Sequence, residues 1–243
     1  MSTYVLVHGA WHGAWCWKYV TPLLENEGHK VIAPDLPGHG EDKTPIADIT
    51  LDTYSQRVCQ IIDEQPEPVI LVGHSMGGAI ISQVAEYRPE KVHKLIYLAA
   101  FLLQDGENVT QHCEPDEDSL LFPNIIMSDD YSFTTINKQG LKDLFYADCS
   151  SADIEFAKTH LGPQADKPTT TPVAITDANF GHVSRFYIKC LQDKTVSPSI
   201  QKNMYKALPC EKVISIDTSH SPFFSNPNGL ARLRPASVLL YRT

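Results

Sequence analysis

The sequence predicts an α/β protein: a mostly parallel sheet flanked by helices, with a small helical cap inserted between core strands. Three observations carry this. Short β-rich runs alternate with longer amphipathic runs in the first part of the chain, the rhythm of right-handed βαβ crossovers. One run, Pro68–Val72, is continuously apolar, as a strand buried on both faces must be. From residue 103 to 180 the alternation lapses and afterwards resumes, which is how an insertion between strands of one sheet reads.

Taken in order, Tyr4–His8 reads as the first strand and Val20–Glu27 as a helix with Leu23 and Leu24 on its buried side. Lys30–Pro34 is a short strand that ends in the turn-rich Asp35-Leu36-Pro37-Gly38-His39-Gly40. Leu51–Glu64 carries Tyr54, Val58, Ile61 and Ile62 at helical spacing, opened by Thr50 or Asp52 as cap. Gly78–Tyr87 reads as helix and Val92–Ala99 as strand. Within the insertion, acidic stretches (Glu114–Asp118 and Asp129-Asp130) surround one clear helix, Ser151–His160, and Lys167–Pro172 reads as a connector. Sheet-like sequence resumes at Ser184–Lys189 and Lys212–Ile216. The expected organisation is therefore core 1–102, cap 103–180 and core 181–243. Near the end, Asn228–Arg234 begins a helix that Pro235 should break, leaving Ala236–Thr243 as a short helix or strand.

Composition narrows the function classes. A chain of 243 residues with 42% hydrophobic and 20% charged residues can bury one large core. The formal net charge of −9 argues against nucleic acid, which is bound through clustered Lys and Arg, and against anionic membrane surfaces. No apolar run approaches the ~20 residues that span a bilayer, and no basic region precedes Val5, so neither a membrane span nor a signal peptide is expected. The six cysteines show no C-x-x-C spacing, which favours free thiols in a reducing cytoplasm. A homodimer is compatible with all of this.

The chemistry is carried by Gly73-His74-Ser75-Met76-Gly77, a G-x-S-x-G motif between an apolar strand and an Ala/Ile-rich helix. A turn this tight strains the serine backbone, and glycines at 73 and 77 relieve crowding against neighbouring chain. Elsewhere such a Ser-Gly turn merely caps a helix; the flanking strand and helix favour a nucleophile. A serine hydroxyl needs a base in reach, and in this architecture acid and histidine follow the serine in that order. Of ten histidines, His220 lies just past the last β run, where sites collect at the carboxyl ends of parallel strands. Asp193, in the loop after the preceding strand, is the favoured acid. Asp217 would have to fold back from the histidine's own loop, and Asp177 lies before its strand. Two N–H donors are needed for an oxyanion. Met76 should supply one, and Ala10, in the small-residue loop His8–Gly13 after the first strand, the other. That loop lacks both G-x-G-x-x-G and a Walker lysine, so a nucleotide reading is poor. No histidine pair has metal-ligand spacing, and no cofactor is expected.

Val5–Trp17, with His8-Gly9-Ala10-Trp11-His12-Gly13-Ala14-Trp15 at its centre, resembles the opening of the plant methylesterase and hydroxynitrile lyase family of α/β hydrolases, which has bacterial, pyrethroid-hydrolase-like relatives. Ile32–Gly40, Val72–Gly78, Phe145–Cys149 and His220–Phe224 extend the resemblance over nearly the whole chain. It implies a cofactor-free α/β-hydrolase fold, a small helical cap and a Ser75–Asp193–His220 triad. The lyases of that family carry lysine after the catalytic histidine, threonine before the oxyanion-hole residue and glutamate before the serine. Here Ser221, Gly9 and His74 occupy those places, and all three differences favour ester hydrolysis. The expected reaction is hydrolysis of small or aromatic carboxylic esters through an acyl-enzyme on Ser75. Two alternatives stand beside it: a lyase or C–C hydrolase on the same triad, and a receptor that holds a small molecule in a hydrolase pocket. Aromatic residues such as Trp15, Phe122, Phe180 and Phe223 are as readily core as pocket. Trp11, Phe101 and Phe145, with His74 beside the nucleophile, are the expected substrate contacts.

Overall fold

A computed structural model of the protein describes residues 1–113 and 116–233. The core is a six-stranded, wholly parallel sheet in the order β2-β1-β3-β4-β8-β9. Its strands are β1 (Thr3–Val7), β2 (Lys30–Ile32), β3 (Val69–His74), β4 (Val92–Leu98), β8 (Arg185–Cys190) and β9 (Lys212–Ile216). β3 lies at the centre with all six residues buried, which is why its sequence is apolar without alternation. After β1 the chain winds to β2 on one side and then returns to place β3 on the other. The loops after β1 and β3 therefore diverge at a topological switch point, the crevice where open parallel sheets hold ligands.

Helices α1 (Val20–Asn26), α2 (Leu51–Asp63) and α3 (Gly77–Tyr87) make the early crossovers. Thr50 caps α2: its hydroxyl accepts from Thr53 N at 3.1 Å while Thr53 Oγ1 accepts from Thr50 N at 2.9 Å, so Thr50 rather than Asp52 is the cap. Of the pair expected on the buried side of α1, Leu24 is buried and Leu23 half-buried. The bounds of the first strands and helices fall within two residues of the sequence expectation.

The chain between β4 and β8 departs from a purely helical cap. It holds α4 (Val109–Cys113), α5 (Leu121–Asn124), α6 (Leu141–Phe145), α7 (Ser151–His160) and a single turn, α8 (Lys167–Thr170), in the expected connector. It also holds an antiparallel sheet of β5 (Ile125–Met127), β6 (Phe133–Ile136) and β7 (Gln164–Ala165). The cause is local. Ile125-Ile126-Met127 and Phe133-Thr134-Thr135-Ile136 are short β-branched and apolar runs. Asp130 closes the turn between them, its Oδ1 accepting from Ser132 N at 3.1 Å, Ser128 Oγ at 2.8 Å and Ser132 Oγ at 2.7 Å.

The second half of the core adds α9 (Pro198–Ala207), α10 (Pro222–Ser225) and α11 (Pro227–Arg232). The expected break at Pro235 and the segment Ala236–Thr243 lie outside the described residues. Among the described residues no helix is long and apolar enough to cross a membrane.

Candidate active site

β3 delivers its chain to a sharp turn at Ser75, which holds φ at +54°. An L residue in this left-handed region costs on the order of 1–3 kcal/mol, so the surroundings must enforce it. They do so at both ends: Ser75 N donates to Leu98 O at 3.3 Å, and Ser75 O accepts from Gly78 N and Phe101 N, each at 3.0 Å. Glycine is required around it. A Cβ at residue 73 would stand 2.5 Å from Gly77 O, and one at residue 77 would stand 2.8 Å from Val7 O. The backbone of α3 thus crosses β3 and β1 at distances only a glycine allows.

His220 follows β9 and Asp193 follows β8, neighbouring strands that bring the two side chains together at their carboxyl ends. His220 Nδ1 donates to Asp193 Oδ2 at 2.8 Å, and both residues are only 1% exposed. The carboxylate is filled with donors. Its Oδ1 accepts from Thr195 N at 2.7 Å and Val196 N at 3.0 Å, and its Oδ2 also accepts from Gln201 Nε2 at 3.2 Å. Because Nδ1 carries the hydrogen, Nε2 of a neutral His220 is left as the basic nitrogen. Among the described residues the Ser75 hydroxyl has no hydrogen bond to that ring; such bonds commonly tighten only around substrate. The alternative acids are elsewhere: Asp217 is exposed and accepts from Gln192 Nε2 at 3.0 Å, and Asp177 is an exposed loop residue.

Three buried histidines, His8, His12 and His74, form the bed under this site, and for the first two the sequence alone implies no role. His8 accepts from Leu36 N on Nε2 at 3.1 Å, so its Nδ1 carries the hydrogen and donates to Gly9 O at 2.9 Å. In a trans peptide the Ala10 N–H points opposite to the Gly9 carbonyl, so His8 fixes the direction of that N–H. His12 Nδ1 donates to Ala10 O at 2.8 Å, and its Nε2 accepts from the Tyr146 hydroxyl at 2.7 Å. His74 Nε2 donates to the His220 carbonyl at 2.9 Å, the two rings lying 4.5 Å apart. Burial, disfavouring the charged form, pushes His12 down to about 3 and His8 and His74 well below the ordinary imidazole range. These three are neutral rings with tautomers set by their partners.

The cavity above Ser75 has a volume of about 330 Å³ and is lined by Ala10, Trp11, Ser75, Met76 and Phe101 on the core side. The insertion supplies the other side, including Val109, Leu121, Phe122 and Met127. Among the described residues neither Ala10 N nor Met76 N is hydrogen-bonded within the protein. Two expected substrate contacts are misplaced. His74 is wholly buried and absent from the cavity wall; its Nε2 is taken by the His220 carbonyl and its ring packs against Phe223. Phe145 is also off the wall; it packs behind it, its ring 5.9 Å from Trp11, 5.4 Å from His12 and 5.8 Å from His220. Phe122 does line the cavity, whereas Phe180 and Phe223 are core and Trp15 stacks on His12.

The insertion also reaches the histidine loop directly. Asp148 Oδ2 accepts from Ser219 N at 3.0 Å and Oδ1 from the Ser219 hydroxyl, and Thr195 Oγ1 donates to Leu144 O at 2.7 Å. Cys16, Cys59, Cys149, Cys190 and Cys210 are free thiols. Among the described residues no group of three or more His, Cys, Asp or Glu could hold a metal ion.

A serine on a strained strand-to-helix turn, under a cavity at the switch point of a parallel sheet, defines the α/β-hydrolase class. The family model described as alpha/beta hydrolase family matches residues 4–233, and the chain belongs to that family. It is 35% identical over 242 residues to a longer Arabidopsis thaliana protein named "Putative methylesterase 11, chloroplastic", covering 95% of this chain and 62% of that relative's length. It is 31% identical over 240 residues to the pyrethroid hydrolase of Sphingobium wenxiniae, covering 93% of this chain and 84% of that one. The crystal structure of a pyrethroid hydrolase from Sphingobium faniae superposes with a TM-score of 0.86 at 30% identity, over 95% of this chain and 94% of that one.

Proposed function

We propose that this protein is a serine carboxylesterase that hydrolyses small or aromatic carboxylic esters through an acyl-enzyme on Ser75. The observation that carries the reading is the buried Asp193–His220 pair at 2.8 Å, whose His220 carbonyl is bound by His74, the residue before a serine held at φ +54°. His220 Nε2 takes the Ser75 proton as Oγ bonds to the ester carbonyl carbon, and the carbonyl electron pair moves onto oxygen. The N–H groups of Ala10 and Met76 hold that oxyanion, and the absence of partners for either donor among the described residues supports the role. The intermediate collapses, the C–O bond to the alcohol breaks, and the Nε2 proton goes to the departing alkoxide. Water, deprotonated by the same nitrogen, then releases the acid and restores Ser75. Asp193 stays ionised throughout and stabilises the imidazolium.

Residues 103–180 act as the cap over a core of 1–102 and 181–243, and their apolar side chains favour an apolar ester. The names of the relatives, methylesterase and pyrethroid hydrolase, support the same class. Cyanohydrin cleavage is disfavoured at two places. A Cβ on residue 9 would stand 2.8 Å from Ser75 Cβ, leaving no room for threonine there. At the other, the fully buried Ser221 offers no cation beside His220. The free thiols suit a cytoplasmic protein. The test is a panel of p-nitrophenyl and methyl esters with fluorophosphonate labelling. Turnover and labelling should both vanish in Ser75→Ala. A folded wild type that neither labels nor turns over any ester would sink the reading and favour a receptor.

A further inference from the structure

Trp11 lines two cavities at once. One is the 330 Å³ cavity that contains Ser75. The other, of about 160 Å³, lies beyond it and is walled by Ile136, Leu141, Leu161 and Pro163, with Lys138 and Lys158 at its rim. Among the described residues Trp11 is the one residue that lines both the reactive cavity and this mostly apolar recess.

That side chain is held deliberately. Trp11 has φ +61°, a left-handed conformation costly for a bulky residue. Its indole N–H is shared between Thr134 O and Thr134 Oγ1 on β6, each at 3.2 Å, and its carbonyl accepts from Gly162 N at 3.0 Å. The residue is buried, only 7% exposed. Strain at the backbone and two anchors on the ring are what a fixed wall requires; a side chain merely filling core space needs neither.

We propose that Trp11 is a specificity-determining partition. It ends the substrate cavity at a fixed length and shuts off an extension that would otherwise accept the apolar tail of a longer ester. The proposal rests on the ester-hydrolase reading, and it adds which esters are refused and by what. Short-chain esters fit on the Ser75 side of the indole, and longer chains meet its face.

The test uses two ester series, p-nitrophenyl alkanoates from acetate upward and alkyl acetates from methyl upward, so that chain length is varied on each side of the scissile bond. In the wild type kcat/KM should fall once the chain outgrows the cavity. In Trp11→Ala the two cavities join, and in one series the fall should move to chains longer by two or more carbons. For those esters kcat/KM should rise about tenfold, the effect of burying two further methylenes. Gly162 lines only the outer recess, and a Cβ there meets nothing within 4 Å. Gly162→Phe alone should leave the length profile unchanged, whereas in the Trp11→Ala background it should refill the recess and restore the preference for short esters. Trp11→Leu should show a smaller shift in the same direction and serves if the alanine variant does not fold. Profiles that keep their shape in both series, or a double variant that still prefers long chains, would overturn the partition. Absence of turnover by the wild type on every ester would instead refute the function on which it rests.

Discussion

Replacing Asp193 with asparagine should cripple the enzyme through a tautomer, and the geometry says which way the amide must sit. Two backbone N–H groups, from Thr195 and Val196, point at Oδ1 at 2.7 and 3.0 Å and cannot move aside, so the amide oxygen must take that place. The amide NH2 is then forced to the Oδ2 position, facing His220 Nδ1 and Gln201 Nε2. Gln201 cannot turn to accept, since its Oε1 is held by Cys190 N at 3.2 Å and its Nε2 by Val196 O at 2.7 Å. His220 can: it accepts the new donor only by losing its Nδ1 hydrogen and carrying one on Nε2. In that form it has no lone pair for the Ser75 proton. The magnitude expected of a reversed tautomer in such a triad is about 10⁴-fold in kcat, or ~5 kcal/mol of transition-state stabilisation. KM should change little, because the carboxylate is buried away from the cavity. The clash with Gln201 should cost about 1–3 kcal/mol of stability, so folding is checked by circular dichroism beside steady-state turnover of p-nitrophenyl acetate. A folded Asp193→Asn that keeps more than a tenth of wild-type kcat would refute the assignment of the acid.

Three further outcomes follow from the same network. Burial holds His12 at about 3 and His39 at about 4, and pushes His8 and His74 well down. Between about pH 6.5 and these depressed values the unfolded chain binds protons that the folded one does not. Stability is therefore full above about pH 6.5 and falls as the pH drops, by about 1.4 kcal/mol per unit for each such histidine. Urea midpoints from pH 7.5 to 4.5 should show it, and a midpoint constant from pH 7 to 5 would contradict it. Tyr146→Phe removes the hydroxyl that donates to His12 Nε2 at 2.7 Å and leaves a buried acceptor unmet. The cost of about 1–3 kcal/mol should lower Tm by about 2–10 °C in calorimetry; an unchanged Tm would show that the nitrogen finds another partner. Gly9→Thr places a Cβ 2.8 Å from Ser75 Cβ and 3.1 Å from His74 Nδ1. It should reduce kcat at least tenfold by displacing the elbow, and wild-type turnover in this variant would mean that the loop yields freely.

The parallel sheet was legible because its strands are apolar for a reason visible locally. β3 is buried on both faces, and β9 and α7 have bounds identical to those read from sequence. Asp193 and His220 could be placed because each stands just after a strand, and adjacent parallel strands put such loops side by side. The three-stranded sheet of the insertion was not legible. Its strands have two to four residues, too few for alternation to register, and they pair across stretches of intervening chain. Helix α9 did leave a signal that the sequence reading passed over: Ser197 accepts from Ile200 N at 3.3 Å and Pro198 stands at the first turn. His74 is expected among the substrate contacts because it stands beside Ser75, but its ring is buried against His220 and Phe223, partners remote in sequence.

His8 and His12 were hidden for a different reason: their partners are the Leu36 backbone and the Tyr146 hydroxyl, remote in sequence. Their roles nonetheless explain why an opening rich in histidine suits this site. In the proposed mechanism the Ala10 N–H must point one way before substrate arrives, since a donor that reorients during reaction loses most of its effect. Each carbonyl flanking that N–H is bound by a buried imidazole, Gly9 O by His8 and Ala10 O by His12. An amide or hydroxyl on a flexible side chain could supply the same bond but not the same rigidity. A buried imidazole is a flat ring wedged at both nitrogens, one donating and one accepting. The burial that makes these rings acid-sensitive is thus the same burial that fixes them against the loop, so the loss of stability below about pH 6.5 and the geometry proposed for the oxyanion site share one cause.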